Sequence, residues 1–87
     1  MKLKKNYHNV LNPDKVIDKF KSKITDGIMN EEDGLRIDFP DYWVHLRRSN
    51  TEPIIRLIIE ANTVNKVKQL MEKYKTMLAD SLQESFS

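Results

Sequence analysis

The chain has no cysteine, only two glycines, and no apolar run approaching the length of a membrane span. Without cysteine there can be no disulfide and no thiolate metal site, which suits a reducing compartment, so the expected location is the cytoplasm. Gly27 and Gly34 alone cannot build a glycine-rich, phosphate-cradling P-loop. The basic start, Met1-Lys2-Leu3-Lys4-Lys5, is not followed by the apolar stretch of a secretory signal, and no membrane partner is expected. Histidine is scarce as well. His8 and His45 lack metal-ligand spacing with another histidine or a carboxylate pair, so no metal or other cofactor is expected in this chain. No serine sits in a nucleophile elbow, and no self-contained catalytic constellation is visible.

What is present describes one small domain. Eighty-seven residues, 39% hydrophobic and 32% charged, are too apolar for disorder and long enough for a single thin core. A net charge of +2 conceals an asymmetry: residues 1–25 hold seven lysines against Asp14 and Asp18, whereas the remainder is acidic. A basic third can mark a nucleic-acid footprint, but lysines so placed more often form the solvated face of a strand and a helix. No nucleic-acid partner is therefore expected.

Periodicity supplies the elements. Weak alternation over residues 6–11 predicts a first strand. Asn12-Pro13 reads as a helix start, with Asn12 the N-cap, Pro13 in the first turn, and Val16, Ile17, Phe20 and Ile24 on one face. Asp26-Gly27 ends that helix, and a loop follows through Asp33-Gly34. Leu35, Ile37 and Phe39 alternate with Arg36 and Asp38, giving a strand that Pro40-Asp41 breaks. Val44 and Leu46 then alternate with Trp43, His45 and Arg47 in a second, antiparallel strand. Residues 54–61 make a third strand. Asn62 or Thr63 caps a long helix whose inner stripe is Val64, Val67, Leu70, Met71, Tyr74, Met77 and Leu78, and the chain should fray after Leu82.

The expected fold is α+β: a two-layer sandwich of a mostly antiparallel four-stranded sheet with two helices on one face, in the order β-α-β-β-β-α. The other face would be open, carrying Arg36, Asp38, Trp43, His45, Arg47, Ile54, Arg56, Ile58 and Glu60. Trp43, Ile54 and Ile58 stand out there as apolar groups suited to a docking surface.

Residues 47–53, Arg47-Arg48-Ser49-Asn50-Thr51-Glu52-Pro53, lie between two strands, so both ends of the loop are anchored. They offer two guanidinium groups, two hydroxyls, an amide and backbone N–H groups. That inventory suits a phosphate dianion, with its three acceptor oxygens and double charge. Arginine grips two phosphate oxygens as a fork, and a tight polar loop satisfies the rest. Arg56 on the following strand would support the site, and Glu52 would orient an arginine. The residues alone leave the competing reading open, a hairpin turn with a solvated charge cluster.

The same seven residues resemble the R-x-S-N-T-E-P signature of the α-D-phosphohexomutase superfamily. Their flanks agree: Asp33-Gly34-Leu35-Arg36-Ile37-Asp38-Phe39, Trp43-Val44-His45-Leu46, and residues 54–61 ending in Glu60-Ala61 are similar to the strands that surround the signature. The resemblance implies the C-terminal domain of a phosphoglucomutase or phosphomannomutase, with a TATA-binding-protein-like fold. It implies a four-domain enzyme moving phosphate between the 1- and 6-positions of a hexose through a bisphosphorylated intermediate. Arg47, Ser49, Asn50 and Thr51 would hold the substrate phosphate, with Arg48 at the variable position. Asn50, where the phosphoglucosamine branch usually has glycine, favours the phosphoglucomutase/phosphomannomutase branch. The phosphoserine, Mg²⁺ and sugar loops of such enzymes are absent here, so Mg²⁺ is expected only in the intact enzyme and this chain alone should be inactive. The implied partners are a sugar phosphate and the remaining domains of the same polypeptide, met by the open sheet face. The alternatives are a small nucleic-acid-binding module, with Trp43 stacking bases, or a protein-interaction module docking by that face.

Overall fold

Apolar residues alternate along three central strands, and their buried side chains, Leu35, Ile37, Val44, Leu46, Ile55, Leu57 and Ile59, all face one layer of helices. The computed structural model describes residues 1–85. Its elements are β1 (Lys2–Tyr7), α1 (Pro13–Ser22), β2 (Ile28–Asn30), β3 (Leu35–Phe39), β4 (Tyr42–Arg48), β5 (Ile55–Ala61) and α2 (Val64–Glu84). The sheet runs β1-β5-β4-β3-β2, with every neighbouring pair antiparallel. The α+β sandwich is as the periodicity requires, with five strands in place of the expected four.

Both differences lie at the sheet's edges. The first strand occupies Lys2–Tyr7 and not residues 6–11, pairing Tyr7 with Ile55 and Lys2 with Glu60. Only Leu3 and Tyr7 lean on the core, and the lysines between them stay in water. A lysine-rich edge strand resists pairing with a second chain, and the same lysines mask its alternation. Asn9, at φ 60°, then turns the chain out of β1 towards α1. At the opposite edge, β2 lies inside the stretch expected to be a loop. Of its three residues only Met29 packs on the core, and Ile28 remains exposed, so backbone pairing with β3 makes the strand.

The helices follow their sequence signals closely. Asn12 accepts a hydrogen bond from the Lys15 N–H at 3.2 Å, Pro13 sits in the first turn, and Val16, Ile17 and Phe20 are buried. Thr63 caps α2 by accepting from the Lys66 N–H at 3.1 Å. Val67, Met71, Tyr74 and Leu78 are buried, with Leu70 and Met77 beside them, but Val64 in the first turn is exposed. The helix runs to Glu84, and Phe86 and Ser87, on which part of the expected fraying falls, lie outside the described residues. Phe20 and Tyr74 bring the two helices together with rings 6.1 Å apart. The Tyr74 hydroxyl meets that of Tyr42 at 2.9 Å, tying α2 to β4.

On the open face the expected apolar patch is largely covered. Ile58 is only 7% exposed, and Trp43 lies beneath Arg36, whose guanidinium carbon is 4.4 Å from the ring centroid, and beside Lys2 at 5.6 Å. The two basic side chains lie over the Trp43 ring, as amphipathic side chains do.

Candidate functional site

The polar loop closes on itself at its base. The Ser49 N–H donates to the Ile54 carbonyl at 3.1 Å, and the Ile54 N–H donates to the Glu52 carbonyl at 2.8 Å. From outside, the Val10 N–H donates to the Pro53 carbonyl at 2.9 Å, so the segment leading into α1 buttresses the turn. Inside it, the Ser49 hydroxyl oxygen accepts from the N–H groups of Thr51 and Glu52 at 3.3 and 3.2 Å. A hydroxyl has two lone pairs and one proton. With both lone pairs engaged, Ser49 is left as a donor, and the Thr51 hydroxyl stands 3.4 Å away.

β4 and β5 set the arginines. Their register places Arg47 directly opposite Arg56 on the open face. Like charges in such a pair repel, so the arrangement is unfavourable unless an anion joins them. Arg56 Nε donates to Asn6 Oδ1 at 3.0 Å, and Arg47 Nη2 pairs with Asp33 Oδ2 at 3.2 Å. Arg47, Ser49 and Arg56, together with Arg48 and Ile54, line one cavity of about 190 Å³. That is several times the roughly 30 Å³ a water molecule occupies in the liquid, room for a hydrated tetrahedral anion.

Arg48 shares that cavity, but the candidates at the loop tip stand apart from it. Arg48, one residue along the strand, turns towards the helix layer, and its Nε meets Asp14 Oδ1 at 3.1 Å. Asn50, Thr51 and Glu52 are exposed at the tip and do not line the cavity. Asn50 is the residue among 49–52 whose N–H has no acceptor among the described residues, so fewer backbone donors are free than the sequence suggested. Glu52 enters through its backbone. Among the described residues no arginine pairs with its carboxylate; Asp33 and Asp14 take that part. Sequence reasoning did not single out Asp33, Asn6 or Val10 here, because their contacts cross from other strands and loops. Among the described residues no group of three or more histidine, aspartate or glutamate side chains converges to hold a metal ion. No described helix is long and apolar enough to cross a membrane.

Residues 6–76 match the sequence family of the phosphoglucomutase/phosphomannomutase C-terminal domain. The chain belongs to that family. It is similar to a probable phosphoglucosamine mutase of Thermococcus gammatolerans, 42% identical over 61% of this chain and 12% of that protein. A phosphomannomutase of Methanocaldococcus jannaschii is 36% identical over 74% of this chain and 14% of its own length. The chain thus spans a small fraction of the relatives it matches. The crystal structure of a phosphoglucomutase/phosphomannomutase family protein from Burkholderia thailandensis superimposes with a TM-score of 0.73 at 25% identity, covering 93% of this chain and 18% of that one. These relatives bear both the phosphoglucosamine mutase and the phosphomannomutase name, so their names do not reproduce the branch that Asn50 favours.

Proposed function

We propose that this domain grips the phosphate group of a hexose phosphate, as the C-terminal part of a four-domain phosphohexomutase. The observation that carries the reading is the opposed pair Arg47 and Arg56 beside a Ser49 hydroxyl whose lone pairs are already occupied, all on one cavity. Two guanidinium forks and a hydroxyl proton match the outer oxygens of a phosphate dianion, and the anion relieves the repulsion between the arginines. Thr51 and the free Asn50 N–H at the tip close on the anion from the solvent side.

The chemistry of the site suits a substrate that must be held by either of two phosphates. Guanidinium and hydroxyl donors read charge and tetrahedral shape, and nothing lining the cavity is set to read a sugar's hydroxyl pattern. The transfer between the 1- and 6-positions belongs to the other domains, and this chain by itself is inactive. Mg²⁺, which the family resemblance implies, would be held by the other domains; beside the loop, Asp33 and Asp14 are engaged by Arg47 and Arg48. The open sheet face meets the remaining domains, and its cover of Lys2 and the Asp38-paired Arg36 over Trp43 gives that contact a polar surface. The work of such an enzyme is cytoplasmic sugar-phosphate metabolism.

The test is kinetic. In a full-length mutase carrying this domain, Arg47→Ala should lower kcat/KM by about 1.5–3 kcal/mol in transition-state terms, the scale of one charge-assisted hydrogen bond. Unchanged kcat/KM would remove Arg47 from the site.

A further inference from the structure

Asp33 is an unexpected neighbour for a phosphate-binding arginine, since a carboxylate near the site repels the ligand. Its place is nevertheless fixed from two sides. The Asp33 carbonyl lies 2.6 Å from His45 Nε2, and because a carbonyl only accepts, Nε2 carries the proton. Gly34 follows at φ 73°, where an added Cβ would stand 2.2 Å from the Leu46 carbonyl oxygen, so the backbone at 33–34 is pressed against β4 as only glycine permits. Both tethers act on backbone. The carboxylate itself is loose, with its side chain 69% exposed and one oxygen on one Nη of Arg47 at 3.2 Å.

Resting on the phosphate reading of the loop, we propose that Asp33 is a resident counter-anion that neutralises Arg47 in the empty site and is displaced when phosphate binds. Three features carry this. Arg47 and Arg56 are opposed in register, and among the described residues Arg56 has the neutral Asn6 amide as its hydrogen-bond partner while Asp33 supplies the one carboxylate that pairs with either arginine. The contact is single and exposed, hence weak, whereas a phosphate dianion can take both arginines as forks. The carboxylate can rotate into water without moving its backbone. His45 is then a positioning residue: it keeps Asp33 within reach of Arg47 and touches no ligand.

An aiming role for Asp33 and a counter-anion role predict opposite signs. As a counter-anion, Asp33→Asn tightens inorganic phosphate binding by about two- to fivefold, the worth of an exposed ion pair, while lowering Tm because the paired arginines lose their neutraliser. His45→Leu moves affinity the same way by less, and His45→Gln, which keeps an N–H donor, restores the wild-type value. The experiment titrates inorganic phosphate into the 87-residue chain and its Asp33→Asn, His45→Leu, His45→Gln and Arg47→Ala variants at matched ionic strength, following the Nε–H and loop amide resonances. Tighter binding with a lower Tm in Asp33→Asn is the expected result. Equal or weaker binding in that variant, with the wild type responding at the loop, overturns the proposal and leaves the phosphate reading standing. No response at the loop in either protein overturns both. If Asp33→Asn does not fold, the histidine pair decides: identical affinities for His45→Leu and His45→Gln reject the role.

Discussion

A single residue can do several things at the turn, and Ser49 is the clearest instance. It accepts two backbone N–H groups, which shapes the loop, and its own proton is left to donate, with the Thr51 hydroxyl 3.4 Å away. Ser49→Ala should therefore cost more than a donor: the Thr51 and Glu52 amides lose their acceptor and the tip loosens. Gly34 is the other residue whose chemistry is fixed by position. Gly34→Ala places a methyl against the Leu46 carbonyl at a left-handed φ, and stability should fall by about 1–3 kcal/mol. Urea denaturation of the variant measures it, and an unchanged midpoint would mean that the 33–34 backbone is not held as described. The arginines and hydroxyls of the turn were legible in the sequence because they fall together within seven residues. The ion pair of Arg47 with Asp33 was not, since two strands have to register before those groups meet.

At the level of elements, legibility tracked burial. β3, β4 and β5 alternate sharply because one face of each lies against helices, and α1 announces itself through Asn12, Pro13 and a buried stripe. β1 and β2 are edge strands with one neighbour and few core contacts, so backbone pairing decides them and the side chains scarcely record it. The caps give a direct check. Asn12→Ala removes the acceptor for the Lys15 N–H and should cost about 1 kcal/mol in thermal or chemical unfolding. Leu78→Ala, at a fully buried position on α2, should cost about 2–5 kcal/mol. If Asn12→Ala proved the more damaging of the two, α1 capping and not the helix-to-sheet core would be what holds the layers together.

For the molecule as a whole, one layer of helices lies on the sheet, and Arg47 and Arg56 stand on the second face. The link between the layers has its own pH signature. Burial, followed by the hydrogen bond with Tyr42, pushes the Tyr74 hydroxyl above the ordinary tyrosine value, and burial together with Glu72 raises Tyr7. Both phenols keep their protons in the fold after the unfolded chain begins to lose them. Their stabilising contribution is thus complete below about pH 10 and is lost as pH rises beyond it. The urea midpoint should fall above that pH, and Tyr74→Phe should flatten the fall; an equally steep fall in Tyr74→Phe would assign the alkaline sensitivity elsewhere.

The central claim concerns the shared anion at the turn. Phosphate titrated into the chain against chloride at equal ionic strength, read residue by residue in amide and arginine Nε–H spectra, tests it most directly. If other domains complete the cleft, as proposed, the domain alone should bind in the millimolar range. The shifts should fall on Ser49, Asn50 and Thr51 and on the side chains of Arg47 and Arg56, and Arg47→Ala should abolish them. Shifts spread over the surface lysines and leaving the turn silent would contradict the assignment.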